Sequence, residues 1–264
     1  MDLRAESKAY LERWGGDLNG KLILGGFTGS LTYGTSVDTG EFSDIDLMGV
    51  FVLPLENYIG LPNSGYKETI RINDPPYDVV LYETRKMLGM LENANPNVLI
   101  QLWNRPEDML FVTPEGRLLI DNRDLFLSKK VAQTFAGYAA GQLAKMKASI
   151  GQDVSTGDLG EKRKMLVEKY GFDTKNAAHL LRLLRMGEEI LSTGEVNVWR
   201  GGIDADELQA VRNGEWSIDR ISEEAERRFG LYQVSKEKSS LPEVADREKV
   251  NDLCLRIMRM SLKI

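Results

Sequence analysis

Apolar residues fall in short continuous runs over the first hundred positions and at helical spacing after that. Residues 21–27, KLILGGF, predict a buried strand that ends on glycines. Residues 45–53, IDLMGVFVL, predict a second, apolar enough to be covered on both faces. YKETIRI predicts a third, edge-like strand that breaks at NDPP. YDVVLYE (77–83), rich in β-branched and aromatic residues, predicts a further strand, and TRKMLGMLENAN a helix with Thr84 as its N-cap.

From about residue 107 the pattern is mostly helical. TPEGRLLID carries its proline just inside a helix start. In SKKVAQTFAGYAAGQLAKMKAS, Gly137 and Gly141 lie four apart, a spacing that would let a second helix approach closely. DTKNAAHLLRLLRMGEEILSTG opens on an Asp173 cap and closes on Gly194. SIDRISEEAERRFGLYQVSKEK and the segment after Pro242 supply two more helices. The fold class expected is therefore α/β (α+β): a small mixed sheet with flanking helices over residues 1–110, then a mainly helical domain over 111–264.

At 264 residues and 42% hydrophobic, the chain can bury a substantial core. A net charge of −6 provides no global basic field to draw it onto nucleic acid. A single cysteine, Cys254, excludes an internal disulfide framework and sits in an apolar helical pattern, as a structural thiol would. The N-terminus lacks a secretion signal, and LMGVFVLPL is too short to span a bilayer. A cytoplasmic protein with no membrane partner is expected. With one histidine and one cysteine, any metal would be a hard ion held by oxygen.

One stretch resists a purely structural reading. Asp44 and Asp46 stand at the mouth of an apolar strand, where aspartate is depleted and a buried carboxylate is costly. Alternation points both to one face, about 6.7 Å apart over two strand rises. Two carboxylates so placed can converge on one divalent ion or a pair. Upstream, Gly29-Ser30 follows a strand and opens a helix, where exposed backbone N–H groups make an anion cradle. Phosphate cradle and metal-binding carboxylates together are the chemistry of a nucleotide. Asp78 is the expected third carboxylate. Glu83, the rival, faces the other way by alternation and suits a helix start or an ion pair with Arg85 or Lys86.

Gly29-Ser30 followed by Ser43-Asp44-Ile45-Asp46 resembles the signature of the DNA polymerase β-type nucleotidyltransferase superfamily. GSLTYGT, SDIDLMGVFV, YDVVLYETRKML, NPNVLIQLW, KNAAHLLRLLRMGEEIL and LPEVADREKVNDL together resemble the predicted nucleotidyltransferase family associated with RNA repair, often called RlaP or YcgL-like. That resemblance implies transfer of a nucleoside monophosphate from an NTP, ATP first, to an acceptor hydroxyl, an RNA end first. By position it implies that Gly29, Ser30 and Ser43 meet the nucleotide's phosphates. It implies further that Asp44, Asp46 and Asp78 hold two Mg²⁺ ions, or Mn²⁺, and that Asp78 helps to activate the acceptor.

Lys175, His179 and Arg182 stand at i, i+4 and i+7, on one helix face. Such a cationic stripe can bind the β- and γ-phosphates or an acceptor's backbone. The alternative is a solvated face on which Arg185 pairs with Glu188 or Glu189. GEKRKMLVEKYG, basic but laced with glutamates, reads as an ordinary solvated helix. Transfer to a protein or small molecule, a nucleotide-binding regulatory module and a metal-dependent nuclease are the competing functions.

Overall fold

Five strands make one sheet in the order β3-β4-β2-β1-β5, in a computed structural model that describes residues 2–17, 20–35, 44–59, 61, 66–150 and 161–264. In chain order the elements are α1 (Leu3–Asp17), β1 (Lys21–Phe27), α2 (Ser30–Tyr33), β2 (Ile45–Val52), β3 (Thr69–Asp74), β4 (Tyr77–Glu83), α3 (Thr84–Glu92), α4 (Pro96–Leu99), β5 (Met109–Val112) and α5 (Pro114–Asp121). Then follow α6 (Lys130–Ala148), α7 (Glu161–Tyr170), α8 (Thr174–Thr193), α9 (Ala205–Arg212), α10 (Ile218–Lys238) and α11 (Arg247–Leu262). The mixed α/β architecture expected from the sequence is the one observed.

β2 is central. It pairs antiparallel with β1 and parallel with β4, in unbroken register from Ile45↔Tyr77 to Phe51↔Glu83. Alternation sends Ile45, Leu47 and Phe51 to the face where Leu11 of α1, Val79, Leu81 and Leu110 complete a buried cluster. Asp46, Met48 and Val50 take the opposite face. β5, which the sequence reading missed, extends the other side of the sheet beside β1.

The described residues divide into two units. One takes in the stretches 1–33, 38–126 and 244–264, and the other 34–37 and 127–243. This division differs from one at residue 110 in two elements. α5 packs on β1, and α11 returns from the chain's end to pack on α3 and α5, so both belong with the sheet. Their apolar stripes decide it: Leu119 and Ile120 of α5, and Val250, Leu253 and Ile257 of α11, are buried.

In the second unit α8 is the hub, with α6, α7, α9 and α10 against it. Gly187 of α8 is the close-packing glycine, since a Cβ there would stand 2.9 Å from Phe135 Cβ and 2.9 Å from Tyr232 Cζ. Gly137 and Gly141 are not packing sites; both face open space. Three arginines of this unit reach carboxylates on helices other than their own. Arg200, wholly buried, binds Glu189 bidentately (2.6 and 2.7 Å) and Asp204 (2.6 Å). Arg185 binds Asp204 (3.0 Å) and Glu207 (2.6 Å), and Glu188 binds Arg228 (2.6 Å), so Arg185 pairs with neither Glu188 nor Glu189. No described helix is long and apolar enough to cross a membrane.

Candidate functional site

β1 delivers Gly29 and Ser30 beside β2. Phe27 pairs with Leu47, and one residue on, the Thr28 amide donates to the Asp46 carbonyl (2.9 Å). The chain then turns sharply at Gly29, with φ +72°, a conformation that side chains resist. Ser30 opens α2, and Thr32 closes the turn, donating from its amide (3.2 Å) and hydroxyl (2.9 Å) to the Gly29 carbonyl. The absent side chain also makes room: a Cβ on Gly29 would lie 3.0 Å from Asp46 Cγ and nearer still to Oδ2. The turn and the Asp46 carboxylate are therefore in direct apposition.

Asp46 and Asp78 stand opposite each other in the parallel β2–β4 ladder, hence side by side on one face of the sheet. Asp46 is half-buried and Asp78 exposed at the mouth of β4. Asp44, also exposed, comes just before β2, whose first amide, on Ile45, donates to the Pro76 carbonyl (2.7 Å). Among the described residues no three His, Cys, Asp or Glu side chains close round a single point as a metal cluster. Ser43 lies outside the described residues.

Glu83 has a different task. It is wholly buried and caps α3, accepting from the amides of Arg85 (3.0 Å) and Lys86 (3.2 Å). Its oxygens also accept from the hydroxyls of Tyr58 (2.9 Å) and Tyr66 (3.3 Å). Burial, and then Glu83, push the Tyr58 hydroxyl well above the ordinary tyrosine range, so it stays a donor. The N-cap of α3 is thus Glu83 and not Thr84, whose hydroxyl donates instead to the Phe51 carbonyl (2.9 Å).

The stripe on α8 belongs to the second unit. Lys175 is exposed, His179 half-buried and Arg182 buried, with Arg182 Nη1 3.4 Å from Met186 Sδ. Burial first, then the charges of Arg182, Lys175, Arg212 and Arg163, hold His179 well below the usual imidazole range, so it is neutral at pH 7. Arg163 and Arg212 escaped the sequence reading. Arg163 sits on the segment read as a solvated helix, yet it reaches Asp173 (2.5 Å) and Asn176 (2.8 Å). Asn104 escaped it too: buried, it donates to the Phe27 carbonyl (2.8 Å) and so steadies the strand end before the Gly29 turn. An arginine, asparagine or lysine far along the chain gives no local sign of which backbone it will meet.

The sequence model of RlaP, the RNA repair pathway DNA polymerase beta family, matches residues 3–213. No curated protein matches the chain. Among solved structures, a nucleotidyltransferase-like protein from Exiguobacterium sibiricum is 12% identical, with 99% of this chain and 77% of that chain covered, at a TM-score of 0.29.

Proposed function

The chain belongs to the RNA repair pathway DNA polymerase β family, and from that premise we propose that it is a Mg²⁺-dependent nucleotidyltransferase acting on an NTP. In this reading the acceptor hydroxyl attacks the α-phosphorus, the bond to the β-phosphate breaks, and pyrophosphate leaves. The acceptor is an RNA end and the nucleotide ATP. The observation that carries the reading is the pairing of Asp46 with Asp78 beside the Gly29 turn.

The donor set fits a hard cation. All three aspartates offer only oxygen, and Mg²⁺ takes one or two carboxylates with substrate phosphates and water filling its octahedron. A site lacking a third closely gathered ligand suits that habit. Asp44, Asp46 and Asp78 would hold the metal, which when bound would neutralise charge on the phosphates. Asp78, the more exposed of the paired strand carboxylates, would accept the proton of the acceptor hydroxyl. Ser30 and the amides of the Gly29 turn would donate to the outgoing phosphates. Lys175, His179 and Arg182, on α8 of the second unit, would form a phosphate-binding stripe.

The test is incubation of the full chain with labelled NTPs, Mg²⁺ or Mn²⁺, and pools of RNA, DNA and protein. Label on RNA that is lost in Asp46→Asn/Asp78→Asn is expected. Equal labelling by the wild type and that double variant would reject the assigned roles. Label on protein would transfer the reaction to the runner-up acceptor, which the net charge of −6 favours. A second reading, a non-catalytic nucleotide sensor, draws on the lack of a closed carboxylate cluster among the described residues. NTP binding without pyrophosphate release would select it.

A further inference from the structure

The second unit gathers more positive charge round His179 than α8 itself carries. Lys175 and Arg182 lie about one turn to either side, Arg163 comes from α7, and Arg212 from the end of α9. Arg163 has a carboxylate, since it binds Asp173, which is wholly buried and also caps α8. Arg212 is held differently. It donates to the Thr35 carbonyl (2.7 Å), and burial alone pushes it below the ordinary arginine value.

The acids of the helices packed on α8 are Glu161 and Glu168 of α7, Asp206 and Glu207 of α9, and Asp219, Glu223, Glu224, Glu226 and Glu237 of α10. None ranks with the four cations in its effect on His179. The charged residues of α6 are Lys130, Lys145 and Lys147, with no acid among them. On α10, Lys236, Glu237 and Lys238 follow Tyr232, which donates to the Leu183 and Leu184 carbonyls, and Glu237 accepts from Gln233. The imidazole of His179 has no hydrogen-bond partner among the described residues. A guanidinium drawn partly out of water toward a neutral carbonyl is costly, and an anion would offset that cost.

We propose that a polyphosphate entering this cluster of Arg163, Lys175, Arg182 and Arg212 binds together with one proton, taken from solvent by His179. The inference rests on the α8 stripe as a phosphate site and adds two arginines and a linked proton to it. In the empty cluster four cations disfavour a fifth positive charge. A bound chain of phosphates reverses that field, and the protonated ring then donates N–H to a phosphate oxygen. The midpoint of His179 is higher in the complex than in the free protein. Affinity therefore rises as pH falls through the midpoint of the complex and levels off below that of the free protein.

His179 is the only histidine, so in untagged protein a single imidazole Cε1–H resonance reports it. The experiment titrates that resonance with pH, with and without inorganic tripolyphosphate, in EDTA. A midpoint raised by about one unit or more, with binding tightening roughly tenfold per unit between the two midpoints, is expected. His179→Gln, checked for folding by circular dichroism, corrects for the titration of tripolyphosphate itself and should lose the excess pH dependence. Binding with an unmoved midpoint, no binding at all, or the same pH dependence in His179→Gln would each overturn the proposal. Neither metal nor turnover is involved. A protein that passes this test but transfers no nucleotide loses the transferase reading alone.

Discussion

A β-carbon on Gly29 would stand 3.0 Å from Cγ of Asp46, within the space the carboxylate itself needs. The glycine is thus fixed twice, by its φ of +72° and by its neighbour. Gly29→Ala should cost about 1–2 kcal/mol of stability from the left-handed backbone. Its effect on activity should be larger, because the side chain that must give way is Asp46. Chemical denaturation beside nucleotidyl transfer separates the two, and a variant as active as the wild type would show that Asp46 need not hold its position.

Asp78 and Glu83 sit on one strand and should fail in opposite ways. Asp78→Asn changes an exposed residue, so stability should move by less than about 0.5 kcal/mol while transfer falls ~100-fold or more. Glu83→Gln weakens a helix cap and two tyrosine hydrogen bonds in a buried place. It should cost about 2–3 kcal/mol. Urea melts and single-turnover rates on both variants decide the matter, and an inactive but fully stable Glu83→Gln would make Glu83 the third carboxylate.

The arginine network of the second unit predicts acid lability. Burial works against the charge of Glu224, but hydrogen bonds from Arg227 and Arg228 outweigh it and bring it from 4.5 to about 2. Asp204 is likewise drawn down, burial being outweighed by Arg200 and Arg185. A folded-state value below the unfolded one gives stability that is present above about pH 4.5 and lost as pH falls toward 2. Urea midpoints measured across that window should decline, and less steeply in Arg228→Gln. A wild type with a flat profile there would contradict the network's role.

Glycines in two helices should respond with opposite sign. Gly187→Ala drives a methyl into Phe135 and Tyr232 and should cost about 1–3 kcal/mol. Gly137→Ala meets open space inside α6 and should stabilise by up to about 1 kcal/mol. Thermal melts of the two variants give the check, and equal shifts would show that helix propensity alone is at work.

Local chemistry was the part legible in the sequence. β1, β2 and β4 were visible as apolar runs, and α8 carried both of its boundary residues, Asp173 and Gly194. The opposition of Asp78 and Glu83 followed from alternation alone. What escaped depends on distant partners. β5 has four residues and exists because β1 offers it an edge. Gly137 and Gly141 had the right spacing but no second helix to receive them, while Gly187 lacked the spacing and had two. The choice of Asp204 and Glu207 for Arg185 is likewise a matter of which helices meet.

The return of α11 to the sheet unit bears on how the chain is made. Its partners α3 and α5 leave the ribosome more than a hundred residues before it does. Throughout that interval the apolar faces of α3 and α5 await their cover, while the helices from 130 to 238 are already free to assemble. Completion of the sheet unit therefore waits on α11, through contacts between segments more than a hundred residues apart.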